Sequence, residues 1–209
     1  MNDILIVGAG GFGREVYTYV EDCICAGMPW RIRGFVDDDP HALDPYDYPH
    51  GIVGGVDDCE IGEGDLFIAA IGIPRAKRDI VGRLAGRGAK FAALVHPTAR
   101  VGRNVSVGMG CILCPHVFTT CDIKIGDFVV INCKSGLGHD VEVGSWTTIS
   151  SFCDITGRAR LGEGVFMGSS SVAMPGSSIG DWAVVGANSG VVSRVRAAST
   201  VYGNPAARM

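Results

Sequence analysis

Apolar residues recur at every sixth position along the second half of the chain, from Val95 to Ala197. Only Thr119 and two alanines depart from a large apolar side chain at these positions, and glycine often follows directly. A period of six fits neither a helix, with about 3.6 residues per turn, nor a flat amphipathic strand. It is typical of a parallel β-helix, in which three hexads make one coil, whereas a β-sandwich varies its loop lengths. We predict a β-helix of roughly five to six coils over 95–197, with the six-residue spacing kept to its end.

The first half of the chain has a different pattern, in which apolar runs alternate with glycine loops and helical spacing. Helix periodicity follows the first glycine loop and ends near Gly27, and a second helix is expected to end near Gly86. This order predicts a small α/β Rossmann-like domain over 1–94, with a short C-terminal tail over 198–209. Its predicted strands are, in order, Asp3–Val7, Trp30–Val36, a short one near Ile52–Val56, Leu66–Ile71 and Lys90–Val95.

Polar and glycine residues follow three of the predicted strands, and in a parallel sheet these carboxyl ends share one edge. The loop Gly8-x-Gly10-x-x-Gly13 would let a phosphate approach backbone amides at a helix N-terminus. Candidate ligand contacts at this edge are Gly10, Gly11, Phe12, Asp37, Asp38, Gly72 and Arg75. The aspartates could equally form a solvated turn, and the arginine could be a surface charge. A domain of this size suits a mononucleotide or nucleotide-sugar better than NAD.

Charge and composition narrow the classes of function. The formal net charge is −4 and the pI is near 5.7, which disfavours a nucleic-acid partner. The N-terminus does not resemble a secretion signal, and no apolar run reaches about 18 residues, so we expect a cytoplasmic protein without membrane insertion. The eight cysteines lack convincing pairing or zinc spacing, and we interpret them as free, reduced thiols.

A histidine–aspartate pair stands at one predicted corner of the repeat, at His139 and Asp140. Residues about eighteen apart stack in columns, so Cys121 lies one coil below His139 and Gly157 one coil above. An imidazole held by a carboxylate can serve as a general base. The uncovered backbone N–H of Gly157 could stabilise an oxyanion. A solvated surface histidine is the alternative.

Other polar residues of the repeat are weaker candidates for a catalytic role. Asn132 lies near the preceding corner and could orient the His-Asp pair, or could be a corner asparagine. His96 and His116 occupy other phases of the repeat and are expected to be structural or surface residues. The three histidines do not share a column, so we predict no metal site and disfavour a zinc-dependent hydratase.

A set of motifs in fixed order gives the chain a close resemblance to one family. It resembles the bacterial sugar acyltransferases, which include UDP-amino-sugar N-acetyltransferases of bacillosamine-type pathways and sialic acid O-acetyltransferases. The resemblance covers essentially the whole chain and implies a left-handed β-helix, a homotrimer and acetyl-CoA in the groove between neighbouring solenoids. The motifs are Gly8–Val16, Phe35–Asp38, Ala70–Gly72, His96–Ala99, Asn132 with Gly138–Asp140, and Gly203–Ala206.

The resemblance also implies a role for individual residues. His139 would deprotonate the acceptor, Asp140 would orient it, and the Gly157 amide would bind the thioester oxyanion. The acetyl-CoA contacts would come from Gly157, Gly186, Ala187, Arg194, Asn204 and Pro205. The nucleotide would lie near Gly10, Asp37 and Asp38, with Thr148 near the sugar.

Two positions depart from the family pattern. N-acetyltransferase members often carry histidine where Phe12 stands, and some carry a second histidine at the position of Thr148. The expected activity is acetyl-CoA-dependent N-acetylation of a nucleotide-linked (UDP- or other NDP-) amino sugar in surface-glycan synthesis. O-acetylation of a sugar hydroxyl and a catalytically silent nucleotide-sugar-binding protein remain alternatives.

Overall fold

The N-terminal unit contains a three-stranded parallel sheet and two helices. The computed structural model describes residues 1–209. The strands lie in the order β2-β1-β3, with Val7 at the end of β1 paired to Val36 on one side and Ala69 on the other. The predicted α/β architecture is confirmed. Its elements are β1 (Asn2–Val7), α1 (Gly11–Cys25), β2 (Trp30–Val36), β3 (Asp65–Ala69) and α2 (Pro74–Gly86).

The central strand explains why this sheet forms. Residues Ile4–Val7 of β1 are buried, as expected for a parallel strand covered on both faces. Helix α1 starts directly after the glycine loop, and a Cβ on Gly13 would overlap the carbonyl oxygen of Gly8. Only glycine permits this close packing of helix start and loop. Neither helix is long and apolar enough to cross a membrane.

The rest of the chain forms a three-sided parallel β-helix of very short strands. Each strand pairs with those one coil before and after it, usually eighteen residues away, so that Leu137 lies between Thr119 and Ile155. The predicted β-helix is confirmed. Its strands are β4 (Leu94–Val95), β5 (Ser106–Val107), β6 (Ile112–Leu113), β7 (Phe118–Thr119), β8 (Lys124–Ile125), β9 (Val130–Ile131), β10 (Gly136–Leu137), β11 (Glu142–Val143), β12 (Thr148–Ile149), β13 (Asp154–Ile155), β14 (Arg160–Leu161), β15 (Phe166–Met167), β16 (Val172–Ala173), β17 (Ser178–Ile179), β18 (Val184–Val185), β19 (Gly190–Val191), β20 (Arg194–Val195), β21 (Thr200–Tyr202) and β22 (Ala207–Arg208).

The hexad positions predict the buried core in the middle of the β-helix. The second residue of most of these strands is buried, and Leu113, Ile131 and Ile149 are among those that are fully buried. The first position of the pattern is more open, since Val95 is 38% exposed. The corners are tight because their residues adopt a left-handed backbone, as at Asp140 with φ +59°.

The six-residue spacing does not hold to the end of the repeat, contrary to the prediction. Strand β20 begins four residues after β19 begins, and Ile179 pairs with Val195 rather than with residue 197. Val195 is buried and Ala197 is exposed. The shorter corner places a valine in the core where the regular spacing would place an alanine, which buries more apolar surface.

The predicted tail divides into a last strand and a return strand. Val201 stacks on Val185 and is buried, so β21 continues the column of strands beyond residue 197. Strand β22 then pairs antiparallel with β21.

Both helices of the N-terminal unit pack against the β-helix. From α1, Asp22 Oδ2 lies 2.9 Å from Nε2 of the buried His96. From α2, Arg78 Nη1 donates to Glu163 Oε1 at 3.2 Å. One apolar core cluster contains residues of both units. Polar and apolar contacts therefore hold the N-terminal unit against the β-helix.

Candidate active site

The strongest candidate for catalysis is the corner that follows β10. His139 Nδ1 lies 2.8 Å from Asp140 Oδ2, and the two side chains are 56% and 57% exposed. An ionised carboxylate can only accept a hydrogen bond, so Nδ1 carries the proton and Nε2 keeps a free lone pair. The open side of the imidazole is thus the side able to accept a proton.

Gly157 lies one coil above this imidazole, as the column argument predicts. The His139 carbonyl oxygen accepts a hydrogen bond from Arg158 N at 2.8 Å, which fixes the two corners together. A Cβ on Gly157 would lie 2.6 Å from His139 Nε2 and 2.8 Å from Cε1, so a side chain there would displace the ring. The Gly157 N–H donates no hydrogen bond within the chain. Glycine therefore gives both space for the base and a free donor beside it.

A charged groove of about 640 Å³ opens beside Asp140. Its walls include the outward residues Glu142 and Arg160, whose side chains form an ion pair at 3.7 Å, and the corner residue Arg158. No hydrophobic residue lines it. The face next to the His-Asp pair therefore suits polar or charged molecules better than apolar ones.

Asn132 does not contact the His-Asp pair. Its Oδ1 accepts from Cys114 Sγ at 3.6 Å, on the preceding side of the coil. His96 is buried and bonded to Asp22 and Thr98, and His116 is an exposed corner residue with φ +60°. The three histidines thus have separate surroundings, and no group of three potential metal ligands occurs in residues 1–209.

The glycine loop of the N-terminal unit is open at Gly10 and Gly11. Nothing would lie within 4 Å of a Cβ on Gly10, which is exposed at the start of α1. Asp37 Oδ2 accepts from Ala9 N at 2.7 Å, so this carboxylate shapes the loop directly. Asp38 Oδ1 accepts from Val56 N at 2.8 Å. Both aspartates border one cavity of about 510 Å³.

The other residues predicted to lie at this edge of the sheet differ in burial and in their contacts. Gly72 is free of close contacts, and Phe12 is half-buried against the core. The Arg75 guanidinium lies 4.8 Å from the ring centroid of Trp182 in the β-helix. Arg75 therefore contacts the other unit and does not point only toward the glycine loop.

The residues predicted for acetyl-CoA lie around the last coils. A Cβ on Gly186 would overlap the ring of Tyr202, so this glycine is needed for packing, and Ala187 beside it is exposed. Asn204 and Pro205 are exposed in the turn between β21 and β22. Arg194 lines a separate groove of about 370 Å³ that also holds two further arginines. These residues share one end of the β-helix, about two coils from Gly157.

Known proteins are similar to this chain both in the N-terminal domain and over the whole length. A family model described as the PglD N-terminal domain matches residues 3–84. GDP-perosamine N-acetyltransferase of Escherichia coli O157:H7 is 27% identical, with 100% of this chain and 97% of the relative covered. WeeI from Acinetobacter baumannii AYE matches with TM-score 0.88 and 25% identity over 100% of both chains. PerB from Caulobacter crescentus in complex with CoA and GDP-perosamine matches with TM-score 0.89 and 25% identity, over 100% of this chain and 98% of that chain.

Over its whole length the chain is similar to bacterial sugar acyltransferases. This confirms the resemblance and the enzyme class that the motifs predicted. Two of the six motifs that carry the resemblance have a visible structural reason: Gly13 packs against Gly8 in the glycine loop, and His139 bonds to Asp140 at the corner.

One polar residue of this sugar acyltransferase was missed in the sequence. Lys77 of α2 is 1% exposed, and its Nζ donates to Thr148 Oγ1 at 3.1 Å and to the Thr147 carbonyl at 3.4 Å. Burial lowers the pKa of its ammonium group to about 7. The signal was present, because Lys77 stands in the stripe Pro74, Lys77, Val81, Leu84 that forms the buried face of α2.

Thr148 is therefore part of the contact between the two units. It is 2% exposed and its hydroxyl accepts from Lys77. A buried threonine in this position holds the helix Pro74–Gly86, which starts after strand β3, against the β-helix. Its relation to a sugar stays a prediction.

Proposed function

We propose that this chain is an acetyl-CoA-dependent N-acetyltransferase whose acceptor is an amino sugar linked to a nucleoside diphosphate. The observation that carries the proposal is the His139–Asp140 hydrogen bond of 2.8 Å below a glycine with a free N–H. The names of the relatives support the acceptor class, because one is a GDP-perosamine N-acetyltransferase and another was solved with CoA and GDP-perosamine.

The proposed reaction is direct acetyl transfer. The neutral acceptor amine attacks the thioester carbonyl carbon, and the C–S bond breaks as the C–N bond forms. His139 Nε2 accepts the proton that the amine loses, and Asp140 supports the imidazolium. The CoA thiolate leaves and takes up a proton. The Gly157 N–H donates to the carbonyl oxygen while it carries negative charge.

The nucleotide is proposed to bind at the open edge of the N-terminal sheet. Gly10, Gly11 and Gly72 leave backbone accessible to a diphosphate, and the start of α1 favours negative charge. Asp37 and Asp38 border the adjacent cavity, where ribose hydroxyls or a base can donate to carboxylate oxygens. Phe12 is the proposed position that selects the sugar, whereas Thr148 is buried against Lys77 and is proposed to act on the sugar only by holding α2 in place.

We propose acetyl-CoA binding along the later coils, with the active site shared between subunits of a homotrimer. Contacts would come from Gly157, Gly186, Ala187, Arg194, Asn204 and Pro205. Apolar side chains support an interface: Phe152 is 57% exposed beside the β7–β10–β13 face, and Val192 is 54% exposed beside its upper end. We further propose a cytoplasmic enzyme of surface-glycan synthesis, consistent with eight free cysteines.

The test measures free-thiol release from acetyl-CoA with a panel of UDP-, GDP- and dTDP-linked amino sugars, neutral nucleotide sugars and sialic acid. We expect turnover with an amino sugar and an amide product by mass spectrometry. An ester product from a hydroxyl sugar would support the O-acetyltransferase alternative. Binding of a nucleotide sugar without any thiol release would support the silent binding protein.

The base is tested with His139→Ala. We expect kcat to fall by about 10²-fold or more while acetyl-CoA still binds, because proton transfer is lost and the groove is unchanged. His116→Ala is the matched control, since His116 is an exposed corner histidine of the same β-helix. Full activity in His139→Ala would contradict the assigned base.

A further inference from the structure

One arginine beside the glycine loop has no polar partner in the protein. Arg14 lies near the start of α1, and its Nη2 is 3.9 Å from the position that a Cβ on Gly11 would take. Its guanidinium forms no ion pair or hydrogen bond within residues 1–209, and its Nε is buried. Buried polar atoms are normally paired, and Ser177 Oγ is the one other buried side-chain N or O atom without a partner. The lone guanidinium therefore needs an explanation.

The other arginines of the N-terminal unit are already engaged. Five of them bind carboxylates or carbonyl oxygens of the protein: Arg31, Arg33, Arg78, Arg83 and Arg87. Arg75, which the sequence predicts to meet a phosphate, lies against the ring of Trp182 instead. Arg14 is thus the arginine that remains to neutralise an anion at the glycine loop.

Tyr46 holds the Arg14 guanidinium in place without using its N–H groups. The Arg14 Cζ lies 3.5 Å from the centroid of the Tyr46 ring, which is direct stacking. Stacking occupies the face of a guanidinium, so the N–H donors along its edge stay free. The loop that carries Tyr46 is itself anchored, because Leu43 is buried and His50 Nδ1 lies 2.9 Å from the Tyr17 hydroxyl of α1. The arginine is therefore oriented before a ligand binds.

The charge of Arg14 is matched to an anion by its surroundings. Its Nε is shielded from water and has no acceptor, whereas its Nη atoms reach the surface beside the exposed Gly11. Partial desolvation strengthens the attraction between a guanidinium and a phosphate. The cavity next to the loop is bordered by four aspartates: Asp37, Asp38, Asp57 and Asp58. A diphosphate at this edge would be repelled by the aspartates unless a cation lay beside it.

We propose that Arg14 binds the diphosphate of the nucleotide substrate through its Nη groups, and that Tyr46 sets its orientation. The edge of a guanidinium matches two phosphate oxygens at once. Backbone amides at the start of α1 would bind the same diphosphate, since they favour negative charge. The proposal rests on the nucleotide site proposed above, to which it adds the missing cation and a supporting ring.

Titration calorimetry with UDP, GDP and dTDP tests the contact, because it needs no turnover. For the diphosphate that binds the wild type most tightly, we expect Arg14→Gln to raise Kd by about tenfold, the size of one lost charged hydrogen-bond pair. The Kd for acetyl-CoA should stay unchanged. Arg31→Gln is the matched control, because it removes the same charge at the opposite end of the sheet, where Arg31 pairs with Asp3. Its diphosphate Kd should stay within about twofold of wild type.

Two further variants separate the charge from its orientation. Arg14→Lys keeps the charge and loses the planar edge, and Tyr46→Leu keeps Arg14 and removes the ring. Each is expected to raise the diphosphate Kd by about threefold, less than Arg14→Gln does. Melting temperatures without ligand show whether each variant is folded. Arg14→Lys and Tyr46→Leu decide the question if Arg14→Gln does not fold.

The outcomes distinguish Arg14 from the proposed activity. An unchanged diphosphate Kd in Arg14→Gln, or an equal loss in Arg31→Gln, would overturn the role of Arg14 and leave the acetyltransferase standing. A selective loss in Arg14→Gln would support Arg14 even if the wild type released no thiol from acetyl-CoA, a result that would overturn the acetyltransferase alone. A wild type that binds none of the three diphosphates would overturn both.

Discussion

The two units of this sugar acyltransferase place their candidate site residues by different means. In the β-helix the strand spacing itself sets Gly157 above His139, one coil apart, with His139 hydrogen-bonded to Asp140. In the N-terminal unit the candidates lie on loops whose shape depends on individual side chains, such as Asp37 on the amide of Ala9. The regular strand register therefore positions the candidate residues of the β-helix, whereas individual side-chain contacts position those of the N-terminal unit.

The two units therefore differ in the substitutions that they can accept. A change in the β-helix is transmitted through stacked coils, so we expect the corner of His139 and Gly157 to accept few substitutions. The N-terminal edge depends on its loops and on how α2 is held, through Lys77 and Thr148. The proposed acceptor side can therefore change by local substitution, consistent with the departure from the family pattern at Phe12 in the glycine loop.

The largest expected effect comes from closing the space above the base. Gly157→Ala puts a methyl group 2.6 Å from the present position of His139 Nε2, so the imidazole must move. We expect kcat to fall by about 10²-fold, because displacements of about 1 Å in a catalytic group have effects of that size. Steady-state kinetics with acetyl-CoA and the best acceptor of the panel measures it.

Gly136→Ala is the control for this variant. A Cβ on Gly136 would approach nothing closer than Asp154 Oδ1 at 3.7 Å, although it lies on the same face. Its kcat should stay within about twofold of wild type. An unchanged kcat in Gly157→Ala would show that the stacked column does not position the base.

The sequence predicted this part of the site well because residues eighteen apart in the repeat lie on adjacent coils in the structure. The column of His139 and Gly157 follows from counting eighteen residues, and the structure places them in contact. The same counting failed near the end, where the shorter corner puts Val195 in the core in place of Ala197. A period cannot reveal where a corner loses two residues when both registers offer an apolar side chain.

The second prediction concerns the contact between the units. Burial lowers the pKa of Lys77 to about 7 in the folded state, whereas an unfolded lysine titrates near its ordinary 10.5. Between these values the unfolded chain binds one more proton, so stability rises with pH. We expect the free energy of unfolding to rise by about 2 kcal/mol from pH 7.5 to 9.5, in excess of the change in Lys77→Met.

Urea unfolding of both proteins across this pH range measures the excess. Subtracting the Lys77→Met profile removes the contribution of cysteines and tyrosines that titrate in the same range. Parallel profiles for the two proteins would mean that Lys77 stays charged against Thr148 in the folded chain. The docking of α2 would then depend on an ion rather than on a neutral amine.

The third prediction tests the partner of the base. Asp140→Asn keeps a residue that tolerates the left-handed backbone, φ +59°, so the corner should remain intact. The neutral amide fixes the ring tautomer less well and does not support the imidazolium. Because the pair is more than half exposed, we expect only about a tenfold fall in kcat. The pH profile of kcat/KM reports it, and a profile identical to wild type would contradict the role of Asp140.

The N-terminal unit was harder to predict in detail than the β-helix. Its three main strands and two helices follow from apolar runs and glycine loops, and their observed bounds differ from the predicted ones by a few residues at most. The other two predicted strands are wrong in extent: Ile52 forms only an isolated bridge to Phe35, and Lys90–Val95 gives a bridge at Phe91 and the two-residue strand Leu94–Val95. Contacts between units do not follow from local pattern. The stripe on α2 indicates that Lys77 faces inward, but its partners in the β-helix cannot be named until the docking of α2 is known. Arg75 was interpreted as a phosphate ligand for the same reason.

The smallest expected effect distinguishes the two interpretations of Arg75. Its guanidinium lies 4.8 Å from the Trp182 ring centroid, so Arg75→Gln should weaken the contact between the units by about 0.5–1 kcal/mol. The KM for the nucleotide sugar should then change less than about twofold. Arg78→Gln is the matched control, because Arg78 lies 5.4 Å from the same centroid and also pairs with Glu163. A rise in KM of about tenfold for Arg75→Gln alone, at unchanged stability, would instead identify Arg75 as a phosphate ligand.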